Sequence, residues 1–210
     1  MKKHILLVVQ IGIVILCFPI FFVISKISTP LLTFVFSLIA YWSLMIISFG
    51  ILIKKDKYIL KNLKSYFRKS HSTLFSLISF IPVIAVFFVA FIPVIDQLNI
   101  AIIIVVLTIS LFNGLFEEVF WRGLVLSKYS STISMIMLST LLFTMYHFAF
   151  LFLPIQYDGG AVNLVGGAAF MGLIWMFVSK KTNNIVYSIV AHQFVNFFAF
   201  SSLFIMNGLL

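Results

Sequence analysis

At 210 residues, with 63% hydrophobic and only 9% charged side chains and a mean hydropathy of +1.22, the chain lies far outside the range of soluble globular domains. Apolar stretches of about 20 residues recur along its whole length, which implies one polytopic membrane domain over residues 1–210. The single cysteine, Cys17, excludes an intrachain disulfide and a cysteine-based metal cluster.

The N-terminal MKKH leads into an apolar run that continues to Ser25, with no small-residue cleavage site after it. That pattern predicts an uncleaved first span rather than a signal peptide, and Leu16 before Cys17 argues against a lipoprotein. Breaks at charged and turn-forming residues divide the chain into apolar segments 5–25, 30–53, 73–95, 99–127, 134–153, 162–179 and 184–208. The expected fold is an all-α transmembrane bundle of seven spans, or eight if the last segment, with Asn196, Ser201 and Ser202, bends in two.

With the N-terminus in the cytoplasm, the inner face receives Lys2, Lys3, Lys54, Lys55, Lys57, Lys61, Lys64, Arg68, Lys69, Lys128, Lys180 and Lys181, whereas the outer face receives only Lys26. The formal net charge of +9 is thereby explained by topology, with no nucleic acid required. The loop from Lys54 to His71 reads as an ordinary positive-inside loop, although Ile59, Leu63, Tyr66 and Phe67 could form the apolar stripe of a helix lying on the lipid surface. Ala168 and Gly172 make a small-xxx-small pair suited to helix packing.

Glu117 and Glu118, the chain's only glutamates, sit inside the fourth apolar segment together with Arg122. Carboxylates at hydrocarbon depth are costly and mark candidate functional sites. On an α-helix Glu118 and Arg122 share a face and favour an ion pair, while Glu117 is turned about 100° away and becomes the candidate general base. His147 lies in the fifth segment, and His192 and Asn196 share a helix face in the seventh. At about 1.5 Å per residue, Glu117, His147 and His192 lie roughly 17, 20 and 12 Å from the cytoplasmic ends of their spans, close enough in depth for one shared cavity.

A glutamate, two histidines and an asparagine in such a cavity suit hydrolysis. Glu117 could deprotonate water, His147 could orient that water or pass on its proton, and His192 with Asn196 could hold a developing oxyanion. Zinc held by Glu117, His147 and His192 is an equally open route, since three protein ligands and a water suit a catalytic site. No serine stands in a nucleophile context, and no phosphate-cradling loop or dinucleotide fingerprint is present.

The run Glu117-Glu118-Val119-Phe120-Trp121-Arg122 fits EExxxR, Phe143 to His147 fits FxxxH, and His192 to Asn196 fits HxxxN. In this order on successive apolar segments they resemble the CAAX proteases and bacteriocin-processing enzymes, the Abi or type II CAAX prenyl endopeptidase family, over a motif-bearing core of residues 99–200. The resemblance implies an intramembrane endopeptidase of about eight spans with a site open toward the cytoplasm. It assigns Glu117 as the water-activating glutamate, His147 as its partner, His192 and Asn196 as the oxyanion pair, and Glu118 and Arg122 as supporting residues. The family is labelled metalloprotease, yet glutamate-activated water without metal also fits it.

The partners expected are the lipid bilayer and a peptide or membrane-anchored protein substrate. The expected location is the cell membrane, and the abundance of Phe, Ile, Lys and Asn suggests a bacterial source. Two other classes compete: a proton-coupled transporter relaying protons through Glu117, His147 and His192, and a non-catalytic bacteriocin-immunity or regulatory membrane protein.

Overall fold

The computed structural model describes residues 4–27, 29–67, 72–130 and 132–210. Lys2, Lys3, Arg68, Lys69 and His71 of the sequence reading lie outside the described residues. Seven helical stretches are long and apolar enough to cross a membrane: Ile5–Lys26, Pro30–Lys55, Thr73–Gln97, Ile100–Tyr129, Ile133–Phe152, Val162–Thr182 and Val186–Met206. Among the described residues there is no strand. The last segment runs unbroken as one helix, so the division that would have given an eighth span does not occur.

The first two spans are regular helices, α1 (Ile5–Ile27) and α2 (Pro30–Lys55). Proline opens α2 at its first turn, where a missing N–H costs nothing. A short helix α3 (Tyr58–Ser65) follows in the basic loop. Its apolar stripe is real but faces the protein: Ile59, Leu63 and Tyr66 are buried, and the Tyr66 hydroxyl donates to the Leu126 carbonyl at 3.1 Å. Lys57, Lys61 and Lys64 stay exposed, as does Phe67, the one member of the expected stripe left outside. Burial pushes the Tyr66 phenol above its ordinary pKa.

The third span is broken into α4 (Thr73–Ile78), α5 (Ile81–Val86), a π turn at Phe87–Phe91 and a 3₁₀ turn at Ile92–Gln97. Asn99 then caps α6 (Ile100–Glu117), its side chain accepting from the Ile102 N–H at 2.9 Å. After a second π turn, Glu118–Gly123, the span finishes as α7 (Leu124–Tyr129). The fifth span is α8 (Ile133–Tyr146) with a 3₁₀ end at His147–Phe152. A π turn at Val162–Gly166 precedes α9 (Gly167–Thr182), and α10 (Val186–Met206) closes the bundle.

Close packing of α6 against α10 and of α8 against α9 brings the motif-bearing spans together. A Cβ on Gly114 would lie 2.7 Å from Gln193 Cγ, so glycine is what lets α6 approach α10. Gly172, half of the small-xxx-small pair, does the same for α9. A Cβ there would meet Phe143 Cδ1 at 3.1 Å and Arg122 Nη2 at 3.4 Å, so this glycine leaves room for a site side chain as well as for a neighbouring helix.

Candidate active site

The site is built where the fourth span changes its winding. Glu117 ends α6 and Glu118 begins the π turn, a form of helix that recurs at functional sites. Its wider winding brings residues four apart closer to alignment than an α-helix does, and Arg122 Nη1 lies 3.0 Å from Glu118 Oε1. Both groups are buried, at 0% and 1% exposure. The guanidinium carbon also lies 3.9 Å from the centroid of the Phe143 ring and 5.8 Å from that of Trp175. Neither Nη atom finds an aligned hydrogen-bond partner, so the cation is held by charge and by aromatic faces.

The two glutamates do not part as the α-helical reading expects. His192 reaches both, with Nδ1 2.8 Å from Glu118 Oε1 and Nε2 3.5 Å from Glu117 Oε2. Since Glu118 is paired with Arg122, its carboxylate accepts and His192 Nδ1 carries the hydrogen. Trp175 stacks on the imidazole at 4.4 Å and fixes its plane. Two carboxylates thus face one guanidinium and one imidazole inside the bundle.

Glu117 is 1% exposed, and its Oε1 accepts a hydrogen bond from the Tyr146 hydroxyl. Its Oε2 has no hydrogen-bond partner. Tyr146 in turn stacks on Tyr41 at 4.4 Å, with the two hydroxyls in hydrogen-bonding reach, and Trp121 Nε1 donates to the Tyr41 hydroxyl at 2.7 Å. His147 places Nδ1 2.8 Å from the Phe143 carbonyl. A carbonyl only accepts, so Nδ1 holds a hydrogen, and in the neutral ring Nε2 is then the acceptor. Asn196 is 7% exposed, and its Nδ2 donor has no partner.

His147, His192, Asn196 and Tyr146 all line one cavity of about 560 Å³. Glu117 sits behind that wall, in contact with Tyr146 and His192. The cavity runs past Val86, Phe200 and Leu203 to Tyr157, Asp158 and Val162, at the face where α2 begins and α10 ends. This is the face opposite the exposed lysines of α3, the reverse of the direction implied by the resemblance taken together with a cytoplasmic N-terminus.

The structure therefore gathers Glu117, Glu118, Arg122 and His192 into direct contact and sets His147 and Asn196 on the adjoining wall. Zinc at Glu117, His147 and His192 is tested by the donors themselves. Glu117 and His192 approach one another, but among the described residues no three His, Cys, Asp or Glu side chains converge into a metal-ligating group. Sequence reasoning missed Tyr146, Tyr41, Trp121 and Trp175. The available signal was that tyrosines and tryptophans in an apolar interior need partners for their O–H and N–H groups.

A bundle with seven membrane-length helices among its described residues thus encloses paired carboxylates, two histidines and an asparagine. Residues 99–198 match the family model described as type II CAAX prenyl endopeptidase Rce1-like, and every motif residue falls inside the match. Over these residues the chain is thus similar to this family of membrane CAAX-type proteases, as the three spaced motifs implied. No curated protein and no solved structure matches the chain.

The burial of the ion pair carries a stability prediction. Arg122→Met leaves Glu118 without its guanidinium and is expected to cost about 3–5 kcal/mol. The double change Glu118→Gln with Arg122→Met recovers part of that loss. Equilibrium unfolding in detergent micelles measures both.

Proposed function

We propose that the chain is an intramembrane endopeptidase that hydrolyses a peptide bond of a membrane-associated peptide or protein with water activated by Glu117. The observation that supports this most directly is a complementary pair of buried atoms without hydrogen-bond partners, the acceptor Glu117 Oε2 and the donor Asn196 Nδ2, beside a cavity walled by both histidines. Buried polar groups are ordinarily satisfied. An acceptor poised for water and a donor poised for an oxyanion are what peptide hydrolysis requires.

In this reading the water gives its proton to Glu117 Oε2 while His147 Nε2 accepts a hydrogen bond from the same water and orients it. The resulting hydroxide adds to the carbonyl carbon, and the oxygen that gains charge is held by Asn196 Nδ2 and, when the ring is protonated, by His192 Nε2. As the C–N bond breaks, Glu117 returns its proton to the leaving nitrogen. Glu118 keeps His192 in its plane and tautomer, and Arg122 balances the extra carboxylate. The chain is placed in the cell membrane with its N-terminus in the cytoplasm, a reading supported by the basic loops.

Three outcomes are expected. Membrane peptidomes of cells carrying the wild type should contain peptides that disappear with both Glu117→Gln and Asn196→Ala; a set of peptides indifferent to both changes sinks the protease reading. On such a peptide, Tyr146→Phe is expected to lower kcat by about tenfold, or 1.4 kcal/mol in barrier, with KM little changed, because it removes one hydroxyl that holds Oε1 while Oε2 does the chemistry. Hydrolysis by purified protein is expected to survive a strong chelator. Loss on chelation with recovery on zinc addition would instead assign Glu117 and the histidines to a metal.

A further inference from the structure

We infer that the site is served from the non-cytoplasmic side of the membrane, so that its substrates are the outward-facing segments of membrane-anchored polypeptides. This inference rests on the proposed hydrolysis for the word substrate, but not for the direction of access.

Two independent observations meet here. The first is charge. One face of the bundle carries Lys54, Lys55, Lys57, Lys61, Lys64, Lys128, Lys180 and Lys181 against the single acid Asp56, which pairs with Lys128 at 3.1 Å. The other face carries Lys26 with Asp96 and Asp158. Such a bias fixes the basic face in the cytoplasm. The second is the shape of the cavity. Its innermost polar residue, His192, lies about 9 Å along α10 from Val186 at the basic face, and Trp175 lies about 10 Å along α9 from Thr182. From that floor the walls lead toward the other face, with a side opening between spans 3 and 6 at Val89 and Phe170: Phe34 is one turn into α2, Leu203 is in the last turn of α10, and Tyr157 and Asp158 lie beyond the spans altogether.

The rim at that other face is shaped, not loose. The Tyr157 hydroxyl donates to the Phe150 carbonyl at 2.8 Å, and Gly159 turns the chain with φ of +66° so tightly that a Cβ would lie 1.7 Å from Asn163 Nδ2. Asp158 therefore stands at the entrance on a braced turn, the one charged side chain of the entrance, and among the described residues it has no ion pair. On the basic side, α3 covers the closed end, with Leu63 against Gly123 and the Ile185 N–H donating to the Tyr66 carbonyl at 2.9 Å. An extended peptide can reach His147, His192 and Asn196 from the Asp158 side without disturbing these contacts.

Thiol accessibility tests this without any need for hydrolysis. Cys17 is fully buried, so single cysteines are introduced on a Cys17→Ser chain. In intact cells a membrane-impermeant maleimide should label Asp158→Cys and Val162→Cys, leaving Lys61→Cys unlabelled until the membrane is permeabilised. A small impermeant methanethiosulfonate should also reach Ala199→Cys, on the cavity wall, from outside. Labelling of the entrance or wall cysteines only after permeabilisation overturns the inference. The same pattern should persist with Glu117→Gln, so outward access without any Glu117-dependent peptide would refute the hydrolysis and leave the direction standing.

Discussion

Two carboxylates held inside an apolar bundle set the terms for everything around them. Glu118 is fully buried, and its charge is met by Arg122 at 3.0 Å and His192 at 2.8 Å. Removing ions from water costs several kcal/mol each, which attraction offsets only when geometry is good and the remaining atoms are satisfied. Here the guanidinium lies against the Phe143 ring, and Trp175 stacks on His192, so aromatic faces complete what hydrogen bonds leave open. Gly172 is small because Arg122 and Phe143 occupy the space its side chain would take.

The irregular winding of the spans lies around the same interior. Three π turns, at Phe87–Phe91, Glu118–Gly123 and Val162–Gly166, lie on helices that border the cavity or the charged cluster. Non-helical or underwound backbone is tolerated at membrane depth where it is enclosed by protein or lines a polar space. Consecutive glutamates, which helical winding aims about 100° apart, both reach one imidazole because His192 presents Nδ1 to Glu118 and Nε2 to Glu117.

That meeting at His192 also marks the limit of what the sequence discloses. The seven spans and the Glu118–Arg122 pair follow from hydropathy and an i, i+4 spacing, both local properties. The meeting of Glu117 with Tyr146, or of Trp121 with Tyr41, joins residues far apart in the chain and has no periodicity to announce it. Ile59, Leu63 and Tyr66 have the same spacing whether a stripe faces lipid or protein; only the position of α7 decides. Depth along a helix places Glu117, His147 and His192 near one layer but does not tell which end of the bundle opens. That depends on which residues of spans 3 and 6 line the cavity beside α10, a meeting of segments far apart in the chain.

The second span shows why the matched segment is not the whole of the site. Tyr41 and Trp42 are consecutive residues of α2, outside residues 99–198, and they grip α6 and its continuation on either side of Glu117. Trp42 Nε1 donates to Asn113 Oδ1 at 2.9 Å, four residues before the glutamate, and the Tyr41 hydroxyl accepts from Trp121, four residues after it. Because α10 holds the opposite side through Gln193, whose Nε2 donates to the Leu111 carbonyl at 3.0 Å, the stretch carrying Glu117 is clamped between two helices. A general base must keep its geometry within a few tenths of an ångström to be useful, and rigid elements do this better than loops. The second span, which carries no motif, therefore helps to fix the position of the Glu117 carboxylate through Tyr41 and Trp42.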